Sequence, residues 1–121
     1  MAKFNVVDKK IQLGLDDIVK FQLSTFCYLN EIPVSDADLR CLALLGAKGE
    51  TDLSEFCTEV ASKGIFKTTQ TVRNSLVRME KCGVILKTGL SKKRLITINS
   101  ALQIQTSGNI LLQYKVFHIG T

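Results

Sequence analysis

The sequence predicts an α+β fold: three consecutive helices closed by a β-hairpin, preceded by a further helix or strand and followed by additional strands. Three observations carry that prediction. Three segments with helical apolar spacing each start at a serine, threonine or aspartate and stop at a glycine. From Val84 to Asn99, β-branched arms surround a glycine-containing tip. Near the C-terminus apolar residues alternate as they do along a strand.

The first 33 residues are the least regular. Ile11, Leu13 and Leu15 alternate like a strand, whereas Asp16 or Asp17 can cap a helix holding Val19, Leu23, Phe26 and Cys27. Val19, Phe21 and Leu23 alternate too, and the helix is the reading adopted. The next helix runs from Ser35 to Gly46. Ser35 and Asp38 have the spacing of a capping box, and Pro33 keeps the incoming chain out of the helix. Leu39, Leu42, Ala43 and either Leu45 or Gly46 form its buried stripe.

The loop G-A-K-G-E follows, and Thr51 or Asp52 caps another helix, with Glu55 placed to return a bond and Gly64 to end it. Leu53, Phe56, Cys57 and Val60 are its core face, leaving Glu55, Glu59 and Lys63 to water. Thr68 or Thr69 then caps the third helix of the series, which ends at Gly83. Advancing about 100° per residue places Val72, Leu76 and Met79 inward and Gln70, Asn74 and Lys81 opposite them. Arg73 flanks that outer face on one side, and Thr71 and Arg78 on the other.

The hairpin tip contains Gly89, Leu90, Ser91 and Lys92. Beyond it, L-Q-I-Q-T, a Ser107-Gly108-Asn109 turn and I-L-L-Q-Y-K-V-F-H-I predict a second strand pair or two extra strands. The division along the chain is therefore an N-terminal extension over 1–34, a central unit over 35–99 and a β extension over 100–121, packed as one globular unit.

Length and composition narrow the functional classes. A chain of 121 residues, 45% of them hydrophobic, suits one domain with a single core. No apolar run approaches the roughly 18 residues of a membrane span, and the charged N-terminus M-A-K-F-N-V-V-D-K-K does not read as a secretory signal. A soluble cytoplasmic protein is the expectation. Cys27, Cys41, Cys57 and Cys82 contain no C-x-x-C pair, and His118 is the single histidine, so neither a zinc site nor a disulfide framework is expected. The thiols read as small apolar residues in a reducing compartment. No glycine-rich phosphate loop, general-acid pair or placed Cys–His couple is visible, so the chain reads as a non-enzyme without cofactor.

Charge is distributed unevenly. The net +5 resolves into +8 between Lys63 and Arg94, where nine bases face one acid, and −3 elsewhere. That asymmetry is the footprint of a polyanion-binding surface and makes nucleic acid the leading partner.

The run T-x-x-V-R-N-x-L-x-x-M-E-x-x-G-V-I, then K-T-G, then K-K-R-L-I-T-I-N, resembles the helix-and-wing half of winged helix-turn-helix DNA-binding domains. The resemblance covers about half of the chain, Ser35 to Asn99. It implies that the third helix of the unit enters the major groove while the wing touches the flanking backbone. On that footing Gln70 and Asn74 face base edges, since a carboxamide pairs bidentately with adenine, and Arg73 reaches a guanine or a phosphate. Arg78, Lys81, Lys87, Lys92, Lys93 and Arg94 become phosphate contacts on duplex DNA.

A lone winged helix with the strand-rich ending G-N-I-L-L-Q-Y-K-V-F-H-I is also similar to small proteins of tailed bacteriophages. That second resemblance implies a structural subunit of the virion, a ring or adaptor, which meets other chains through the winged helix and C-terminal strands, and it allows a homo-oligomer. Val77 favours it, because a valine on the outward half of the helix gives a protein interface contact area and gives a groove little. The bland alternatives are a solvated polar helix face and wing lysines that merely block edge-to-edge pairing.

Overall fold

The computed structural model describes residues 3–11, 14–90 and 92–120 and is α+β. In chain order the elements are β1 (Lys3–Ile11), α1 (Leu15–Leu29), α2 (Asp36–Lys48), β2 (Thr51–Asp52), α3 (Leu53–Ser62), α4 (Thr69–Lys81), β3 (Ile85–Leu90), β4 (Lys93–Ile98), a 3-10 turn over Ser100–Leu102, and β5 (Leu112–Gly120). Leu13 and Ser91, which entered the strand and tip readings above, lie outside the described residues.

Four helices and a three-stranded antiparallel sheet, ordered β2-β4-β3, share one core. Leu23, Leu42, Leu45, Phe56, Leu76, Met79, Ile85 and Ile96 are fully buried within it. Each contributes roughly 1.5–3 kcal/mol by leaving water. The N-terminal helix is thus part of the core, with Val19, Leu23 and Cys27 buried against α2. It starts from Gly14 and not from the Asp16 or Asp17 cap expected from the sequence; both aspartates lie in the first turn, where carboxylates are favoured by the positive end of the helix dipole.

Three further expectations need correction. First, α2 does not end at Gly46. It continues to Lys48 and stops at Gly49, whose φ of 77° suits glycine. Gly46 is instead buried in the helix where α2 meets α1: a side chain there would crowd Val19 Cγ1 at 3.1 Å and Thr106 Cγ2 at 3.3 Å. Second, Thr51 and Asp52 are not only a cap. Before Asp52 accepts the Glu55 N–H at 3.0 Å, the two residues pair with Ile96 and Leu95 as a third strand.

Third, L-Q-I-Q-T is not a strand. Gln22 on α1 holds Gln105 with two bonds, its Nε2 donating to the Gln105 carbonyl at 2.9 Å and its Oε1 accepting the Gln105 N–H at 2.8 Å. A side-chain amide thereby satisfies the backbone groups that a neighbouring strand would have used. Gln103, at φ 55°, breaks any extended run. The last strand, β5, pairs with β1 over nine positions from Lys3↔Gly120 to Ile11↔Leu112, so the two chain ends build an antiparallel ribbon of their own.

At the base of the hairpin, Asn99 closes the sheet onto the helical layer. Its N–H donates to the Val84 carbonyl at 2.9 Å, and its Nδ2 donates to the Gly83 carbonyl at 2.9 Å. The end of α4 and the start of β3 are therefore fixed to the end of β4, and the direction of the hairpin follows from that of α4.

Candidate nucleic-acid interface

The frame of the site is α4. Thr68 caps it, accepting the Thr71 N–H at 3.2 Å, and Val72, Leu76 and Met79 are buried as the spacing predicts. Gly83, at φ 80°, lets the chain turn directly into β3. Gln70, Asn74, Val77 and Lys81 then follow one another along the exposed ridge. Gln70 Nε2 donates to Asn74 Oδ1 at 2.9 Å. That bond orients the Asn74 carboxamide while leaving its Nδ2 donors and a second lone pair on Oδ1 for an outside partner.

The nine residues proposed from sequence are treated differently by the fold. Arg73 Nη2 donates to Ser54 Oγ at 3.1 Å, bridging α4 to α3. Lys87 lies on the inner side of β3, largely covered, with Nζ 3.5 Å from Glu80. Arg78 Nη2 donates to Asp38 Oδ1 at 2.7 Å while half of its side chain stays in solvent. Lys81, Lys92, Lys93 and Arg94 are exposed, and among the described residues they form no ion pair. Free cations are thus found at the end of α4 and around the hairpin tip.

Sequence reading missed the link behind Arg78. Asp38 and Ser75 are the buried polar residues of the described chain. Asp38 Oδ2 accepts the Ser35 N–H at 2.9 Å, completing the capping box, and Oδ1 accepts the Ser75 hydroxyl at 2.6 Å together with Arg78. Burial pushes this carboxyl up, but the Ser35 N–H, the Ser75 hydroxyl and the Arg78 guanidinium outweigh it and hold Asp38 below the usual aspartate value. A signal was present: Ser75 interrupts the apolar arc of α4 beside Leu76, and a hydroxyl there needs a buried acceptor.

Three of the four cysteines, Cys27, Cys41 and Cys57, are buried as small apolar residues, whereas Cys82, at the end of α4, is exposed. Burial pushes the Cys41 thiol up to about 12, with the neighbouring Cys57 and Asp38 adding to it, and burial also raises Cys27 and Cys57. A thiolate-specific disulfide reagent should therefore titrate one thiol rapidly in the native protein and all four after denaturation. Rapid reaction of two or more native thiols would contradict this burial.

Among the described residues no group of three or more His, Cys, Asp or Glu could hold a metal ion, and no helix is long and apolar enough to cross a membrane. Compared with known proteins, the chain matches no protein-family model, no curated protein and no solved structure.

Proposed function

We propose that this chain is a non-enzymatic nucleic-acid-binding protein, a winged helix that meets duplex DNA with α4 and the β3–β4 wing. The observation that carries the proposal is the exposed, unpaired set Lys81, Lys92, Lys93 and Arg94 at the end of α4 and around the hairpin tip, together with the exposed amide pair Gln70–Asn74 on α4. The order helix, short strand, helix, helix, hairpin, with the short strand joining the hairpin as β2-β4-β3, supports the winged-helix reading. In this reading Asn74, steadied by Gln70, faces base edges. The four free cations contact phosphates, while Arg78, its charge already balanced by Asp38, offers its exposed donors to a phosphate without adding to the salt dependence.

Titration of labelled duplex DNA across a salt series tests it. About four phosphate contacts give a log–log slope near −3.6 and roughly a hundred-fold loss of affinity between about 50 and 200 mM salt. A flat response, or no binding at low salt, overturns the proposal.

A second reading, an architectural subunit of a particle such as that of a tailed phage, is favoured by one observation. Val116, Phe117 and Ile119 on the terminal ribbon are exposed, and Val77 is exposed on α4. Apolar side chains on a two-stranded ribbon are more readily explained by protein contact than by DNA.

A further inference from the structure

The terminal ribbon is a poor structure on its own. A two-stranded antiparallel pair is at best marginally stable in water, and this one carries apolar groups on both faces. Val116 and Phe117 are consecutive and point to opposite sides, with Ile119 sharing the side of Phe117. Beyond its root, where Ile110–Gln113 line a cleft of about 260 Å³ with Ile18, Phe21 and Gln22 of α1, no helix packs extensively on the described ribbon.

A matching apolar surface occurs on the same molecule. Helix α1 buries Val19, Leu23 and Cys27 but leaves Phe21, Tyr28 and Leu29 exposed, the last two at 83% and 73%. Phe21 and Tyr28 lie two turns apart on one side and Leu29 about a quarter turn round from them, so the three form a broad apolar stripe on the exposed side of α1. Nine strand residues reach about 30 Å and fifteen helical residues about 22 Å, so a ribbon can cover the whole stripe.

Charge selects the partner. Strands β1 and β5 together hold four lysines and one aspartate, a net of +3. Residues 14–31, which carry the stripe, hold one base and three acids, a net of −2. Two ribbons would repel each other, whereas ribbon and helical segment attract. We propose that the ribbon of one copy docks on the α1 stripe of a second copy of this chain. Because the two surfaces differ, the contact is head-to-tail and repeats into a ring or a filament instead of closing as a symmetric dimer. The inference rests on the architectural reading and names its contact. It leaves the α4 and wing surface open for nucleic acid.

The test uses the full chain in sedimentation velocity over a range of micromolar concentrations. One variant blocks the ribbon (Phe117→Glu with Ile119→Glu) and another blocks the stripe (Tyr28→Lys with Leu29→Lys). All four positions are exposed, and circular dichroism checks that the helices persist. The wild type should grow in mass with concentration, and each variant alone should stay a monomer. An equimolar mixture of the two variants should form a one-to-one dimer and nothing larger, because only one intact ribbon–stripe pair remains. A wild type that is monomeric throughout overturns both the contact and the architectural reading. An oligomer indifferent to the stripe substitutions overturns this contact alone and leaves the architectural reading standing.

Discussion

Replacing Asp38 with alanine is expected to lower the stability of the fold by about 3 kcal/mol near neutral pH, the low end of what breaking a buried ion pair costs. The carboxylate closes the α2 capping box through the Ser35 N–H, accepts from the buried Ser75 hydroxyl and holds Arg78. Its side chain is 2% exposed and that of Arg78 is 47%, so the orphaned guanidinium can rehydrate, while the Ser75 hydroxyl cannot do so without disturbing α4. That difference keeps the expected loss below the upper end of the range. Asp38→Asn should retain part of the packing yet lose the charge, placing it between wild type and alanine. Urea denaturation of the three proteins measures the series, and equal midpoints would show that the link contributes nothing.

The sign of the pH dependence follows from the direction of the Asp38 shift. Its folded-state value is depressed below the ordinary 3.8, so the carboxylate contributes stability that is fully present above that value. The contribution disappears as pH falls through the lower folded value. The gap in stability between wild type and Asp38→Asn should accordingly be widest at neutral pH and close in acid. A gap that widened with acidification would mean that Asp38 is held protonated in the fold.

Arg78 illustrates why a residue's type and position on a helical wheel do not settle its work. The sequence places it on the flank of α4, and it is there, but the Asp38 beneath it belongs to a helix forty residues earlier, and nothing local joins the two. The same holds for Lys87, which alternation puts on the core side of β3 beside Glu80. By contrast, the frame of α4 was legible throughout: the Thr68 cap, the apolar arc and the glycine stop all point to the same helix, and local signals that agree are dependable.

What escaped reading were pairings between distant segments. β1 and β5 lie at opposite ends of the chain, and each strand pattern says only that a partner exists. The Gln22–Gln105 clamp replaces a ladder with two side-chain bonds, which periodicity cannot register. Gly46 reads as a helix stop because glycine serves both to end a helix and to make room for a neighbouring side chain. The following Gly49, with its positive φ, performs the first task and Gly46 the second.

Removing the wing cations should have the largest effect on binding. With Lys92→Ala, Lys93→Ala and Arg94→Ala combined, Lys81 remains as the exposed unpaired cation of the four, and the slope of log affinity against log salt should fall from about −3.6 to about −0.9. Counterion release contributes nothing near 1 M salt, so the two lines should meet there. They would then differ by about three-thousand-fold near 50 mM and about eighty-fold near 200 mM. The three side chains are exposed and bear on no buried group, so the urea midpoint should be unchanged, which separates this variant from the Asp38 series. Gln70→Ala provides the complementary control. It should leave the salt slope alone while weakening preference among duplex sequences, because it frees the Asn74 carboxamide to rotate. Undiminished binding by the triple variant would move the contact surface away from the wing, and with it the reading of α4 as the helix that enters the groove.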